Sequence, residues 1–279
     1  MLRVKKKCEQ CEAVYDMMDY ECPNCHNPNE DFKKTKTSER VVTVPIIHQI
    51  LFFAIGFIGL NILNLIAQFI VLAAVGFDFN VAETPINNAI TISITYFSLL
   101  AIMSIFVILK RKKFLHAFTS WKPYVAGLIG GIALIAISIG YSALVQAIHP
   151  VGDNTNQTAV VEVTKALPFL TIFVLSFVGP LCEELTYRVG LYSFLNRWSK
   201  IAAFIISTVV FAFIHFDWNA LLEISDGNTE AIVVELLNLP SYIIAGVGLA
   251  FLYDKFGFAA SLLAHVLNNL ISCIMILIG

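Results

Sequence analysis

Long apolar stretches recur along the chain and restrict it to folds that a lipid bilayer can hold. A membrane-spanning helix needs about 20 mainly apolar residues. Since 58% of the 279 residues are hydrophobic, only 14% are charged and the mean hydropathy is +0.77, a soluble globular protein is excluded. The sequence predicts an all-α, multi-pass transmembrane bundle of about seven spans over residues 45–279, of which the fifth span is the least clearly defined. The stretches cover residues 46–75, 87–109, 123–148, 167–195, 201–216, 231–252 and 257–278.

Basic residues occupy alternate segments between these stretches. Eight Lys and Arg lie in the first forty residues, and others follow the second, fourth and sixth stretches. Because basic loops stay in the cytoplasm, we expect a cytoplasmic amino terminus and an external carboxy terminus in a multi-pass protein of the cell membrane. The chain opens with Arg3 and three lysines rather than an apolar run. We therefore expect no cleavable signal peptide, with the first span acting as the insertion signal.

Four cysteines near the amino terminus form two C-x-x-C pairs that ten residues separate. They are Cys8, Cys11, Cys22 and Cys25. Such pairs can offer four thiolates to one tetrahedral zinc ion, and a segment of roughly 30 residues needs such an ion because it cannot build an adequate core. We predict a structural zinc ribbon over residues 1–28, with iron as the alternative ion, and His26 as a surface residue. A cytoplasmic position disfavours disulfides.

A polar segment, residues 29–44, follows the ribbon and is predicted to be a linker that holds the ribbon beside the membrane. The lysines at 5–7 are expected to contact anionic lipid rather than nucleic acid. The ribbon has three possible roles: it could bind a cytoplasmic protein partner, capture substrate, or sense redox state or zinc. Cys182 and Cys273 lie in apolar stretches and are predicted to be small buried hydrophobic residues.

Three ionisable residues interrupt the fourth apolar stretch: Glu183, Glu184 and Arg188. Each costs roughly 2.5–3.5 kcal/mol at the centre of a spanning helix, so the group requires pairing or a functional cavity. Glu184 and Arg188 are four residues apart on one helical face and can neutralise each other. Glu183 points about 100° away, which leaves it to face a cavity where it could act as a general base.

Gly179 and Pro180 come just before the two glutamates. A proline removes one backbone hydrogen bond, and breaks of this kind are tolerated in membranes where they line a cavity. We expect the fourth span to bend here. With straight helices, the rise of 1.5 Å per residue would place Glu183 and His215 at depths that differ by about 10 Å or more.

Two further apolar stretches carry polar residues at helical spacing. His215 follows Phe211 by four residues, and Asn269 follows His265 by four. A single histidine of this kind can be a packing residue bonded to a backbone carbonyl. A glutamate, two histidines and an asparagine on three helices form the set needed to activate a water, hold a carbonyl and stabilise an oxyanion.

In order and spacing, these residues resemble the three motifs of the CAAX-protease and bacteriocin-processing (CPBP) family of intramembrane endopeptidases. The resemblance covers roughly residues 160–278, the motif-bearing half. It implies that Glu183 activates the attacking water, that His215 helps to hold this water, and that His265 with Asn269 binds the scissile carbonyl oxygen. The residues that would support the site are Glu184, Arg188 and Phe211.

The resemblance leaves two mechanisms open. In a metalloprotease, an active-site zinc would be bound by Glu183, His215 and His265, whereas in a glutamate-dependent peptidase no metal takes part. We favour the second, because the chain has no H-E-x-x-H motif. A bacterial cell membrane and a leader or signal peptide as substrate fit the ribbon best.

Two other classes of function stay in view: a non-catalytic membrane scaffold or immunity protein whose ribbon binds a partner, and a proton-coupled transporter. The intact motifs favour an enzyme over a scaffold. No internal repeat of the kind that many transporters contain is apparent.

Overall fold

The computed structural model describes residues 5–16, 19, 21–29, 41–224 and 227–279. Arg3 and residues 30–40, which form most of the predicted linker, lie outside this part of the chain. The described residues form a helical bundle preceded by a small two-stranded ribbon, in which β1 (Lys5–Lys7) pairs antiparallel with β2 (Val14–Asp16).

The bundle confirms the predicted all-α, multi-pass architecture. Among the described residues, six helices are long and apolar enough to cross a membrane: α1, α2, α4, α6, α8 and α9. The predicted fifth span corresponds to α7, which has 14 residues and falls short of the spanning length. The helix bounds are α1 Ile46–Ala74, α2 Pro85–Leu109, α3 Arg111–Ala117, α4 Lys122–Ile148, α5 Thr155–Ala166, α6 Pro168–Leu195, α7 Lys200–Phe213, α8 Glu230–Phe256 and α9 Phe258–Ile278, with single helical turns at Phe79–Ala82 and Ala220–Glu223.

Two of the spanning helices contain π-helical segments. In α1 the segment is Ile55–Gly59, and in α6 the segments are Val174–Val178 and Leu185–Tyr192. Such segments occur frequently at functional sites. The first π segment of α6 ends directly before Gly179, so α6 departs from regular α-helical geometry where the sequence predicts a break.

Small residues let α4 approach α9 closely. A Cβ atom added at Gly127 would lie 2.7 Å from the carbonyl oxygen of Ala260, and one added at Gly131 would lie 3.2 Å from the Cα of Ala264. Glycines four residues apart are typical of close contacts between membrane helices. This contact fixes the face of α9 that carries His265, the residue after Ala264.

The core of the bundle surrounds α6. Residues 184–192 are all buried, and the core includes Phe52 of α1 and Leu99 of α2. Cys182 and Cys273 are buried free thiols, as predicted from their apolar surroundings. The part of α6 that follows Glu183 is therefore enclosed by other helices.

The ribbon contacts the bundle through ion pairs. Asp19 Oδ1 lies 3.7 Å from Arg197 Nη1, after α6, and Glu21 Oε1 lies 3.6 Å from Lys113 Nζ, in α3. The end of the predicted linker is also packed: residues 42 and 44 are valines with 1% and 2% of their surface exposed. Packing into the bundle thus begins before residue 45, because these side chains are apolar.

Candidate active site and metal-binding ribbon

The two adjacent glutamates of α6 have different surroundings. The side chain of Glu184 is fully buried, whereas that of Glu183 is 14% exposed. Glu183 lines two cavities, one of about 190 Å³ and one of about 650 Å³. The carboxylate that the sequence leaves unpaired is thus the one that can meet a substrate.

Glu184 forms the predicted ion pair and adds contacts to α9. Its Oε2 atom lies 3.4 Å from Arg188 Nε and accepts a hydrogen bond from the hydroxyl of Ser261. The Arg188 guanidinium lies 5.0 Å from the centre of the Phe211 ring. Sequence reasoning missed Ser261, although it precedes His265 by four residues and therefore shares its helical face.

His265 lies between the two glutamates. Its Nδ1 atom is 3.0 Å from Glu184 Oε1, and its Nε2 atom is 3.6 Å from Glu183 Oε2. Because a carboxylate only accepts hydrogen bonds, Nδ1 carries the hydrogen, and in the neutral ring Nε2 presents a lone pair to Glu183.

His215 is hydrogen-bonded to Phe211, which lies one helical turn before it. Its Nδ1 atom lies 2.8 Å from the carbonyl oxygen of Phe211, so Nδ1–H donates and Nε2 is left as an acceptor. The His215 ring stacks on Tyr242 of α8, with centroids 4.5 Å apart and planes 14° apart. His215 and Glu183 line the same two cavities.

Tyr96 of α2 is a site residue that the sequence did not indicate. Its hydroxyl donates a hydrogen bond of 3.1 Å to Glu183 Oε1, and its ring lines both cavities. Nothing in the local sequence distinguishes Tyr96 from the other eight tyrosines, because its role depends on the packing of α2 against α6.

Asn269 is oriented by the π segment of α6. Its amide nitrogen donates to the carbonyl oxygen of Leu175 at 3.0 Å. Gly179 N–H bonds to Val174 O, five residues back, and in that register the next donor would be Pro180, which has no N–H. Leu175 O is thereby left for Asn269.

The four predicted catalytic residues line one cavity. Glu183, His215, His265 and Asn269 all border the space of about 190 Å³. The larger cavity reaches from Glu183 and His215 towards α1 and α7, where its lining is mainly apolar and includes Phe57 and Phe213. A polar centre that adjoins an apolar space suits chemistry on a hydrophobic chain.

The four ribbon cysteines converge on one point. They are free thiols, and their Sγ atoms all lie within 4.8 Å of one another, with Cys8–Cys25 and Cys11–Cys22 both at 3.5 Å. Zn–S bonds of about 2.3 Å in a tetrahedron place the sulfurs about 3.8 Å apart. The donor set therefore fits a single zinc ion.

The two cysteine pairs form equivalent turns. The amide of Cys8 donates to Ala13 O and that of Cys22 to Asn27 O, both at 2.9 Å. Glu12 and His26, each directly after the second cysteine of a pair, have φ values of 59° and 60°. The backbone N–H of Ala13 lowers the pKa of the Cys11 thiol to about 6, which favours the thiolate that a metal needs.

His26 does not point to the thiols. Its Nδ1 atom lies 3.2 Å from Glu21 Oε1, and its side chain is 71% exposed. This agrees with the predicted surface position.

Comparison with known proteins gives a family match within the motif-bearing half, residues 160–278. Residues 165–271 match a family model described as type II CAAX prenyl endopeptidase, Rce1-like. The match contains the four predicted catalytic residues, which all border the smaller cavity. This segment is thus similar to the CAAX endopeptidases. The Rce1-like segment therefore starts just before α6 and ends within α9.

Two relatives are similar over a larger part of the chain. The UPF0177 protein YvdC of Lactococcus lactis subsp. lactis is 26% identical over 183 residues, which are 64% of this chain and 64% of YvdC. An uncharacterized protein of Mycoplasma capricolum is 26% identical over 180 residues, 60% of this chain and 48% of that protein. The chain thus spans less than two thirds of each relative. No solved structure gives a significant match.

Proposed function

We propose that this protein is an intramembrane endopeptidase that hydrolyses peptide bonds of membrane-associated peptides or proteins. The observation that carries the proposal is the shared cavity, in which the partly exposed Glu183 faces His215, His265 and Asn269. The Rce1-like segment supports a protease of the CAAX type.

Glu183 is proposed to act as the general base. It takes a proton from a water held between its carboxylate and Nε2 of His215, and the oxygen of that water bonds to the scissile carbonyl carbon. Tyr96 holds Glu183 in place through the hydrogen bond to Oε1. The carboxylate then passes the proton to the leaving amine as the C–N bond breaks.

His265 and Asn269 are proposed to stabilise the oxyanion. When Nε2 of His265 is protonated, it can donate to the developing negative charge, and Glu184 stabilises the imidazolium through Nδ1. The amide of Asn269 has a second N–H besides the one used by Leu175 O. The supporting contacts of Glu184, Arg188 and Phe211 keep this side of the cavity fixed.

We favour the glutamate-dependent form over a metalloprotease. Glu183, His215 and His265 would be the ligands of an active-site zinc, which would lower the pKa of a bound water. Among the described residues, the four ribbon cysteines form the cluster in which three or more ligand atoms converge on one point. The proposed zinc of the ribbon is structural.

We propose a bacterial cell membrane as the location and a leader or signal peptide as the substrate. The basic segments favour a cytoplasmic ribbon and an external carboxy terminus. Membrane lipid is a partner of the apolar helices, and a cytoplasmic protein is proposed as a further partner of the ribbon.

Comparative peptidomics tests the proposal. Membranes from cells with the wild-type protein are compared with those carrying Glu183→Gln and with a matched control, Glu162→Gln, which changes an exposed acid on α5. We expect product peptides that disappear in Glu183→Gln and persist in the control at equal membrane abundance. A Glu183→Gln protein with an unchanged peptide profile would contradict the proposal and favour a scaffold.

A further inference from the structure

Glu235 of α8 is a buried carboxylate that the proposed mechanism does not use. Only 2% of its surface is exposed. Its Oε1 atom accepts from the backbone N–H of Thr155 at 3.0 Å, and its Oε2 atom accepts from Asn154 Nδ2 at 3.3 Å and from the N–H of Asp217 at 3.1 Å. Three donors from two separate parts of the chain thus bond to one side chain of α8.

These donors lie at the start of α5 and in the loop after α7, which contains His215. Asn154 precedes α5, and Asp217 follows α7. Asn154 Nδ2 also lies 3.3 Å from the carbonyl oxygen of His215. Asn154 therefore holds the carbonyl of His215, and Glu235 holds the backbone N–H of Asp217, two residues later. Because α7 ends at Phe213, His215 itself lies outside the helix.

Tyr242 extends the same face of α8. It lies seven residues after Glu235, and its ring stacks on the imidazole of His215. Its hydroxyl donates to Asn154 Oδ1 at 3.2 Å and accepts from Asn156 Nδ2 at 3.1 Å. One helix face thus contacts the ring of His215 directly and its backbone through Asn154.

We propose that Glu235 is a positioning residue for His215, with Tyr242 as the surface against which the imidazole rests. The inference builds on the proposed function, since it assigns Glu235 a role in holding a group of that site. A catalytic side chain on a loop keeps its geometry only when packing and hydrogen bonds from neighbouring residues fix it. Here a carboxylate outside the cavity fixes the backbone, and an aromatic ring fixes the side chain.

Kinetics with a double-mutant comparison tests the proposal. In Glu235→Gln, an amide NH₂ faces one of the three donors, so at least one hydrogen bond is lost. With protein in lipid nanodiscs and the best-cleaved member of an internally quenched peptide library, we expect kcat to fall about tenfold or more and KM to stay within about twofold. The control Glu230→Gln, an exposed acid on the same helix, should behave as wild type.

The effect should depend on His215. In a His215→Ala background, Glu235→Gln should cause no further loss, because the group that it positions is gone. An equal fold-loss in both backgrounds would show a general structural role and overturn the proposal.

A second readout does not require activity. In protein with ¹⁵N-labelled histidine, the His215 signal is assigned by its loss in His215→Ala. We expect it to shift or double in Glu235→Gln and to remain unchanged in Glu230→Gln. If wild type cleaves no library peptide, the proposed function fails, and this measurement still decides the role of Glu235.

A variant pair covers the case in which Glu235→Gln does not fold. Tyr242→Phe keeps an aromatic ring on His215, whereas Tyr242→Leu removes it. We expect a larger shift of the His215 signal in Tyr242→Leu than in Tyr242→Phe. A His215 signal that is the same in all folded variants would overturn the proposal.

Discussion

Single residues on α6 show how one helix gives neighbouring carboxylates different chemistry. Glu184 points inward to Arg188, Ser261 and His265, while Glu183 points to the cavities. The 100° step of a helix is sufficient to separate the two roles. The buried carboxylate is therefore expected to stabilise the fold, and the partly exposed one to serve the reaction.

Glutamine substitutions at the two positions should separate stability from activity. Glu184→Gln removes the charge that faces Arg188, and loss of one partner of a buried ion pair costs about 3–5 kcal/mol of unfolding free energy. Glu183→Gln should leave the thermal midpoint in detergent nearly unchanged while turnover is lost. Thermal unfolding and peptide cleavage measured on the same preparations check this, and the reverse pattern would exchange the two roles.

Tyr96→Phe should reduce turnover without loss of folding. The change removes only the hydroxyl that donates to Glu183. A hydrogen bond to a charged group contributes about 1.5–3 kcal/mol, so kcat should fall about 10- to 100-fold. Tyr141→Phe is the matched control, because its hydroxyl donates to the carbonyl oxygen of Leu237, away from the cavity residues. Equal rates for the two variants would exclude Tyr96 from the mechanism.

Residues that act through local spacing could be found from the sequence, and those that act through tertiary contacts could not. Glu184 with Arg188, and Phe211 with His215, are pairs four residues apart. The sequence around Tyr96 contains no pattern that distinguishes it, and its role appears only when α2 packs on α6. Glu235 interrupts the predicted stretch 231–252 and could have been noticed as an ionisable residue in a span, but its hydrogen-bond partners could not be predicted.

At the scale of elements, α6 combines a spanning helix with a change of hydrogen-bond register. The sequence predicts a break at Gly179 and Pro180 because proline lacks a donor, and the π segment before Gly179 agrees. It does not reveal that the unused carbonyl of Leu175 holds Asn269 of α9. The length of α7 is similarly uncertain from sequence, since apolar residues continue into the loop after Phe213.

Pro180→Ala should disturb the site through this register. Alanine supplies an N–H that can bond to Leu175 O and displace the amide of Asn269. We expect turnover to fall severalfold while thermal stability is kept or increased. Pro168→Ala is the control, because a proline in the first turn of α6 replaces an N–H that has no helical partner. If both variants cleave peptide at the wild-type rate, the orientation of Asn269 by Leu175 has no role in turnover.

At the scale of the whole molecule, the ribbon and the bundle are two units that different forces stabilise. The bundle buries apolar helix faces, whereas the described residues of the ribbon form a small cluster around the cysteines and Tyr15. The C-x-x-C spacing was enough to predict the ribbon because metal geometry requires it. The contacts between the two units involve single charged side chains and could not be predicted.

Metal analysis of the purified protein should find one zinc ion per chain. Cys22→Ser should lose the ion, and His26→Ala should keep it, because the histidine lies against Glu21. The measurement also tests the mechanism. A second zinc that survives in Cys22→Ser and disappears in His265→Ala would contradict the glutamate-dependent form.

Ion pairs between distant segments also indicate how many times the chain crosses the membrane. Glu21 meets Lys113, Asp19 meets Arg197, and Lys200 Nζ lies 2.6 Å from Asp254 Oδ2. These groups therefore share one face of the protein, so the chain from Lys200 to Asp254 must leave that face and return to it. The 14-residue α7 with its following loop then completes one crossing and α8 the next.

We therefore expect an odd number of crossings, although six helices of the described chain have full spanning length. A chain with an odd number of crossings has its two ends on opposite sides of the membrane, so a reporter fused after Gly279 should be active on the side opposite to one fused before the ribbon. Reporters active on the same side would mean that the path from α7 to α8 does not cross. If the path from α7 to α8 crosses as expected, the short helix that precedes His215 also determines on which side of the bilayer Gly279 lies.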